Sequence, residues 1–466
     1  MEKTPRRVSF GEAMLVILFL VAGLMATLML WGGDPHIPIL AAAAFGTVIA
    51  VRAGHKWRDI EDGIMDTIRM SMQAILILAI IGSIIGTWIL SGVVPTMIYY
   101  GLKILSPGIF LVATCIICCI VSLATGSSWT TAGTVGIALL GVGAGLGIPL
   151  PMVAGAIVSG AYFGDKMSPL SDTTNLAPAM SGANLFDHVR HMIFTTGPSL
   201  IIALILYGIL GMRYAGQELD VAGINELLGT LSTEFSISPL LLIPPILVIV
   251  MVVFKVPAIP GLIGGVVLGG IFAGLFQGAD MSSIIDAAHY GYVSETGIAA
   301  VDDLLSRGGL DSMMWTISLI LIAMSFGGVM ERTGMLEVIA EKILSFAKST
   351  GSLVLATVCT CIFTNLVAGD QYLSIVLPGR MYKPIYDANR LHPKNLSRVL
   401  EDAGTLTSAM IPWNTCGAFM LSTLGVHPFA YLPYAFLNLL NPIISVFYGY
   451  TGITMEYLPE EAPKQV

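Results

Sequence analysis

Long apolar runs constrain this chain more strongly than any other feature. A membrane-spanning helix needs about 20 consecutive, mostly apolar residues, and the 466-residue sequence contains many stretches of this kind. The clearest are Met14–Leu30, Ile75–Leu90, Ile109–Leu123, Leu200–Leu210, Leu240–Phe254, Ile259–Phe276, Trp315–Met330, Leu353–Val367 and Pro428–Tyr448. Only 11% of the residues are charged, whereas a soluble domain has about 25%. The composition therefore indicates a chain embedded in a lipid bilayer.

The length and pattern of these runs predict helices rather than strands, because the runs are long and do not alternate. With shorter and interrupted runs added, we expect an all-α polytopic membrane protein of about 10–12 transmembrane helices. The 51 glycines favour close helix contacts and broken helices. A net charge of −8 offers no basic surface for nucleic acid. The hydrolase motifs HExxH, GxSxG and GxGD are missing from the sequence, so we expect neither an enzyme nor a bound cofactor.

Four polar segments interrupt the apolar runs, and they come in two similar pairs. The early pair is 125-TGSSWTTAGT-134 and 164-GDKMSPLSDTTN-175, and the late pair is 364-TNLVAGDQY-372 and 401-EDAGTLTSAMIPWNTCG-417. A shift of 243 residues places Gly126 on Gly369 and Pro169 on Pro412 without a gap, over about 60 residues. Internal repetition of this kind is typical of secondary transporters.

The charges of the loops predict that the two repeats are inverted. The stretch from Ser127 to Gly164 contains no charged residue, whereas its counterpart in the second half is basic. Basic loops stay in the cytoplasm, which places the two connectors on opposite sides and the N-terminus in the cytoplasm. We predict a first inverted repeat over residues 1–212, an extracellular linker over 213–236 and a second repeat over 237–466. Each repeat would contain broken helices or re-entrant hairpins.

Two aspartates in one interruption suggest an ion site. A charged residue at the centre of a membrane helix costs roughly 2.5–3.5 kcal/mol on insertion scales, so Asp165 and Asp172 need partners or a function. Pro169 lies between them and frees backbone carbonyls by breaking the helix. Carboxylate, carbonyl and hydroxyl oxygens are hard ligands that suit Na⁺ or Mg²⁺.

The same oxygens can hold a proton in place of a metal ion. A poorly solvated carboxylate binds a proton tightly, and a bound cation displaces that proton. If only the loaded site crosses the membrane, the protein exchanges Na⁺ for H⁺ by alternating access. We assign Asp172 as the shared carboxylate, with Asp165 as its partner or as a second proton carrier paired to Lys166. The candidate ion- or proton-binding residues are Asp165, Asp172, Ser168, Ser171, Thr173, Ser127, Ser128, Asn365, Asp370, Asp402, Asn414 and Thr415, with Na⁺ at Asp172, Asp165 and Thr173.

Each of these residues also has a purely structural interpretation. Asp165 and Lys166 would form an ion pair that holds a loop, and the serines and threonines after Gly126 would bond back to the carbonyl four residues earlier. Asp370 would lie at a membrane surface. Glu401 follows Arg398 closely, and we expect its carboxylate to be solvated.

The polar segments resemble the signature of a known family. The stretch 164-GDKMSPLSDTTNLAPA-179, with 126-GSSWTTAGT-134 before it, is similar to the NhaC family of bacterial sodium/proton antiporters, over nearly the whole chain. It also resembles the branch of malate-2H⁺/Na⁺-lactate antiporters. The resemblance implies Na⁺/H⁺ exchange across the inner membrane by a homodimer with an inverted-repeat fold and elevator-like movement. It places Asp165, Ser168, Asp172 and Thr173 near the ion.

The transported solute has two alternatives at this point. One is Na⁺/H⁺ exchange alone, and the other is an exchange in which cations accompany malate or lactate. A carboxylate substrate is best bound by arginine, yet the polar segments contain no arginine and Lys166 is their only base. This favours cations alone.

Overall fold

The computed structural model describes residues 5–215, 221–254 and 256–459. In these ranges the apolar runs form helices, the conformation in which a segment satisfies its own backbone hydrogen bonds without water. The first twelve helices are α1 Phe10–Met25, α2 His36–Arg52, α3 Trp57–Leu90, α4 Val93–Ile104, α5 Pro107–Thr125, α6 Ser128–Thr131, α7 Ile137–Gly145, α8 Leu150–Met167, α9 Asp172–Ser181, α10 Leu185–Ala215, α11 Val221–Glu234 and α12 Ile243–Val253. The others are α13 Ala258–Gln277, α14 Met281–His289, α15 Ala299–Leu305, α16 Met314–Arg332, α17 Met335–Leu344, α18 Thr350–Ala368, α19 Leu373–Ala388, α20 Pro393–Val399, α21 Leu406–Ser408, α22 Thr415–Leu424, α23 Pro428–Tyr431 and α24 Phe436–Thr451.

In the part of the chain that the structure describes, three short π-helical segments interrupt this series, at Ala26–Leu30, Ala132–Gly136 and Leu400–Thr405. Extended backbone pairs only in two isolated bridges within the described ranges. The predicted all-α fold is therefore confirmed.

Among the described residues, seven helices are long and apolar enough to cross a membrane, or up to nine spans if each of two bent helix pairs counts as one. The bends are 94° between residues 223–234 and 239–251, and 62° between residues 428–434 and 436–451. A multi-pass membrane protein with broken helices is thus confirmed, with fewer spans in the described ranges than the 10–12 expected. The difference lies in the interrupted segments, because α8 has the charged residues Asp165 and Lys166 in its last turn and α22 has only ten residues.

The internal repetition of the sequence extends to the backbone. Helices α5 and α18 begin and end 243 residues apart, and so do α9 and α22. Gly126 ends α5 in the left-handed conformation with φ 68°, and Gly369 ends α18 in the same way with φ 67°. The inverted orientation and the boundaries at residues 212 and 237 stay predictions.

Each of these glycines packs against the break that follows it. A Cβ on Gly126 would lie 2.8 Å from the carbonyl carbon of Leu170, and a Cβ on Gly369 would lie 3.2 Å from the carbonyl oxygen of Trp413. Leu170 and Trp413 are again 243 residues apart, within the connectors before α9 and before α22. The fold therefore contains two equivalent contacts between the end of one helix and the break of another, and the candidate site lies at these two contacts.

Gly126→Ala is expected to destabilise the protein more than Gly147→Ala. Gly147 also has a positive φ, 70°, but a Cβ there would meet nothing within 4 Å. Both substitutions incur the left-handed strain of about 1–2 kcal/mol, and only Gly126→Ala pushes on the connector at Leu170. Thermal unfolding in detergent measures the difference. Equal losses would show that this contact contributes nothing.

Candidate ion-binding site

A half-open cavity of about 500 Å³ lies where the two breaks meet α3. Residues from both halves of the chain line it, together with residues that precede α13. Its polar lining consists of Gln73, Thr125, Ser127, Ser128, Thr130, Asp165, Asp172, Gln371, Tyr372, Thr415 and Cys416. No Lys, Arg or His occurs among the described lining residues, so the cavity carries negative charge.

Asp165 is the buried carboxylate of the cavity. It lies in the last turn of α8 and only 4% of its surface is exposed. Ser128 donates a hydrogen bond to Oδ2 over 2.5 Å, and Ser171 donates to Oδ1 over 2.6 Å. The Ser171 hydroxyl is also 3.1 Å from that of Thr173. Four predicted site residues thus form one connected group of oxygens.

Asp172 is the exposed carboxylate of the cavity, and it joins the two halves of the chain. As the first residue of α9 it lies at a helix N-terminus, where the helix dipole stabilises negative charge. Its Oδ1 accepts from the backbone N–H of Thr173 over 2.9 Å. The hydroxyl of Tyr372, which directly precedes α19, donates to its Oδ2. The first and second polar pairs therefore meet at this contact.

The second half repeats the arrangement around Asp165 without its charge. The Oε1 of Gln371 accepts from the Ser408 hydroxyl over 3.1 Å and from the Cys416 thiol over 2.9 Å. Gln371 and Ser408 correspond, at the 243-residue offset, to Ser128 and Asp165. The hydrogen bond is thus present in both halves, but only the first half places a carboxylate in it.

The two predicted asparagines, Asn365 and Asn414, do not line the cavity. They bond to each other and to the segments around it. Asn365 donates to the carbonyl of Gly404 over 2.7 Å, and Asn414 donates to the Oδ1 of Asn365 over 3.0 Å. At the same offset Ser122 donates to the carbonyl of Ala161. The amides therefore hold α18 against the helix before the break, as Ser122 holds α5 against α8.

The hydroxyls after Gly126 had two interpretations, as ligands of the site or as groups that bond back to their own helix, and the structure shows contacts of both kinds. Thr131 bonds back to the carbonyl of Ser127 over 2.9 Å, as helical threonines do. Ser128 instead reaches Asp165, and the Ser127 side chain accepts from the backbone N–H of Thr130 over 3.1 Å and caps α6. Ser128 is consequently the hydroxyl of this segment that reaches the cavity carboxylate.

Asp370 and Ser168 lie beside the cavity without lining it. Asp370 is 1% exposed, so its carboxylate is buried inside the protein. It accepts from the backbone N–H of Leu373 over 3.0 Å and from the Ser71 hydroxyl over 3.2 Å. Ser168 accepts from the backbone N–H of Leu170 over 3.3 Å and shapes the connector. These contacts are those of scaffold residues.

Asp402 forms the buried ion pair that the sequence suggested for Asp165. Lys166 donates to its Oδ1, to which Thr195 also donates over 2.9 Å. The Arg398 Nε is 3.9 Å from its Oδ2. The alternative in which Lys166 pairs with Asp165 is therefore wrong, because neighbouring residues of α8 point in different directions.

Glu401 is fully buried, and the expectation of a solvated carboxylate is wrong. That expectation rested on the nearby Arg398, which is itself fully buried and lies 5.9 Å from the ring of Tyr448. The segment Leu400–Thr405 is buried along its whole length, so it has no side in contact with water.

Six polar lining residues are not among the predicted site residues, namely Gln73, Thr125, Thr130, Gln371, Tyr372 and Cys416. The 243-residue offset pointed to Gln371, because it falls on Ser128. Gln73 gave no signal, since it is a single polar residue of a long helix. The aromatic Trp129 lines the cavity and stacks on Phe419 at 4.2 Å, a contact between residues far apart in the sequence.

A polytopic helical protein with an acidic, oxygen-lined cavity between repeated breaks belongs to the class of membrane transport proteins. The sequence profile of the Na⁺/H⁺ antiporter family matches residues 160–453. The chain belongs to this family, and the resemblance recognised in its polar segments is confirmed.

Three relatives illustrate the range of the family. The chain is 42% identical to the "Na(+)/H(+) antiporter NhaC" of Alkalihalophilus pseudofirmus, over 96% of this chain and 97% of the relative. It is 41% identical to the "Malate-2H(+)/Na(+)-lactate antiporter" of Bacillus subtilis, over 90% and 89%. It is 40% identical to the "Arginine/ornithine antiporter ArcD" of Halobacterium salinarum, over 99% and 96%. All three are transporters rather than enzymes.

Lys166→Met is expected to destabilise the protein, because it removes the cation that donates a hydrogen bond to the buried Asp402 and leaves only Arg398, 3.9 Å away. Removing one partner of a buried ion pair costs about 3–5 kcal/mol. The double variant Lys166→Met with Asp402→Asn removes both charges and should recover much of that loss. Thermal unfolding of the three proteins in detergent tests this. Additive losses would mean that the pair does not couple.

Proposed function

We propose that this protein exchanges Na⁺ for H⁺ across the bacterial inner membrane by alternating access, with Asp172 and Asp165 as the shared site. The observation that carries the proposal is the pair of carboxylates at one cavity, without a cationic side chain among its described lining residues. Na⁺ and H⁺ are the ions of the family to which the chain belongs.

The electrostatics of the cavity favour competition between the two ions. Asp165 and Asp172 repel each other when both are ionised, and either a proton or a cation relieves that repulsion. Na⁺ is a hard cation that prefers carboxylate and hydroxyl oxygens. Ser128 and Thr173 provide hydroxyls beside the carboxylates. The two ions therefore bind to the same oxygens, one at a time.

Exchange requires that the empty site does not cross the membrane. With neither ion bound, the cavity holds two negative charges, and moving such a charged site through a medium of low dielectric is costly. A proton or Na⁺ reduces that cost. The proposal includes a cytoplasmic N-terminus, which the basic loops of the second half support, and a homodimer, as the family resemblance implies.

Asp172→Asn is expected to abolish the Na⁺-dependent discharge of a pH gradient in proteoliposomes. The amide keeps the size of the side chain but can neither take up a proton nor balance the charge of Na⁺. A pH-sensitive dye inside the vesicles and labelled Na⁺ outside report both fluxes. Asp286→Asn, on the exposed helix α14, is the matched control and should transport as the wild type does. Na⁺-dependent discharge by the Asp172→Asn variant would rule out the shared carboxylate.

The size of the cavity favours a second candidate function, the transport of a small organic solute. Its 500 Å³ is many times the space of one water molecule, about 30 Å³. Two carboxylates and the aromatic faces of Trp129 and Tyr372 suit an amine or a guanidinium group. Malate or lactate would find hydroxyl and amide donors there but no described cationic side chain. A solute with an amino group therefore fits the described lining better than an organic acid.

We expect labelled arginine to exchange in proteoliposomes loaded with unlabelled arginine or ornithine, and labelled malate not to exchange. The reason is the acidic, aromatic lining of the cavity. Counterflow of each labelled solute, with and without Na⁺, makes the measurement. Uptake of labelled malate that depends on trapped lactate would establish the organic-acid alternative. Failure of every organic solute would leave Na⁺/H⁺ exchange as the only activity of the site.

A further inference from the structure

A second cluster of buried ionisable residues lies behind the cavity. It occupies the place where the π-helical segment Leu400–Thr405 lies close to α8 and α10 and packs against α24. Glu401, Asp402, Arg398 and Lys166 each have no exposed surface. Four ionisable side chains fully withdrawn from solvent are rare in proteins unless each of them is paired.

The two carboxyl groups of this cluster are not equivalent. Asp402 has Lys166 and Thr195 as hydrogen-bond donors and Arg398 at 3.9 Å. Glu401 has no hydrogen-bond partner on either carboxylate oxygen. The Thr405 hydroxyl, one helical turn further on, lies near Glu401 but outside hydrogen-bond geometry. Asp402 is therefore stabilised as an anion, whereas Glu401 is not.

The charged groups that act on Glu401 are few. Lys166 and Asp165 act on it from α8, and Asp402 lies beside it in the same segment. The buried ionisable side chains of α18 and α19 are the thiol of Cys361 and the hydroxyls of Tyr382 and Tyr386, which do not carry charge near neutral pH. Arg398 is directed instead at Thr454, over 2.8 Å, and at Asp402. The charged groups that act most strongly on Glu401 are thus Lys166, Asp165 and Asp402.

A series of polar atoms without partners continues from this cluster along α10. Both ring nitrogens of His191 and the Nε2 of His188 have no hydrogen-bond partner, although both rings are buried. These histidines share the first turns of α10 with the exposed Asp187 and Arg190. Buried polar groups are normally bonded, and a cluster of exceptions indicates a functional role. The other ring nitrogen of His188, Nδ1, is 2.6 Å from the Ser397 hydroxyl of α20.

We propose that Glu401 is a second proton-binding site, separate from the carboxylate pair of the cavity, and that it carries a proton of the transport cycle. The inference rests on the proposed Na⁺/H⁺ exchange. The carboxylate takes up a proton and later releases it, so that only an O–H bond forms and breaks. With no donor for its anion, Glu401 holds the proton while the cavity is empty.

The position of Asp165 couples this proton to the cation. Lys166 and Asp402, the chain neighbours of Asp165 and Glu401, are in direct contact, and the two carboxylates of Asp165 and Glu401 repel each other when both are ionised. A cation bound at Asp165 screens that charge and favours loss of the proton from Glu401, which in turn strengthens cation binding. Such mutual influence between two sites is reciprocal by thermodynamic necessity. One Na⁺ would therefore displace a proton from each of the two sites.

The Glu401→Gln variant of the full chain tests this in proteoliposomes. We expect the variant to keep labelled Na⁺/Na⁺ exchange at fixed pH and to move one proton fewer per Na⁺ than the wild type. Glu226→Gln, on the exposed face of α11, is the matched control and should keep the wild-type ratio. An unchanged ratio and an unchanged pH profile in Glu401→Gln would overturn the inference while leaving the proposed function intact.

Infrared spectroscopy keeps the inference testable if Glu401→Gln does not assemble. In wild-type protein we expect the stretching band of a protonated carboxylic acid that weakens when Na⁺ is added, and Glu401→Asp should shift that band. Absence of such a band over the whole pH titration would overturn the inference. A wild type without any Na⁺-dependent proton flux would instead overturn the proposed function.

Discussion

The structure depends on one constraint, the need to satisfy every backbone group and charge that a broken helix frees away from water. The break after α8 is closed by Gly126, whose lack of a side chain lets the connector at Leu170 approach its backbone. The break before α22 is closed by Gly369 and Trp413 in the same way. A glycine in the left-handed conformation ends each helix without steric cost. The polar side chains of both breaks are thereby held around one cavity.

The two breaks share a backbone but differ in charge. The bond between Ser128 and Asp165 has a neutral counterpart between Gln371 and Ser408. An aspartate in place of Ser408 would add a third negative charge close to the cavity, beside those of Asp165 and Asp172. No described cationic side chain lines the cavity to balance it. The repeated backbone thus positions two breaks, while the residues that differ between the two halves concentrate the negative charge on one side. This asymmetry allows a single acidic site to form between two similar units.

Much of this arrangement was predictable, and the exceptions have a common cause. The apolar runs, the 243-residue offset and the oxygen-rich segments are periodic or local patterns, so they identified the helices, the breaks and Asp165 with Asp172. The partners of Lys166 and the burial of Glu401 were not predictable. Lys166 bonds to Asp402, 236 residues further on. No local pattern in the sequence indicates whether Lys166 pairs with Asp165 or with Asp402.

The sequence by itself determined that the chain spans a membrane, that it is repeated, and which segments are polar, because hydrophobicity and spacing act locally and are readable residue by residue. Tertiary structure decided how the polar residues divide between roles. Packing of α8, α9 and α19 brought Tyr372 to Asp172 and left both aspartates at the cavity. The same packing placed Asp402 against Lys166 and left Glu401 without a partner. Which charge is neutralised depends on distances between helices, and these exist only once the chain has folded.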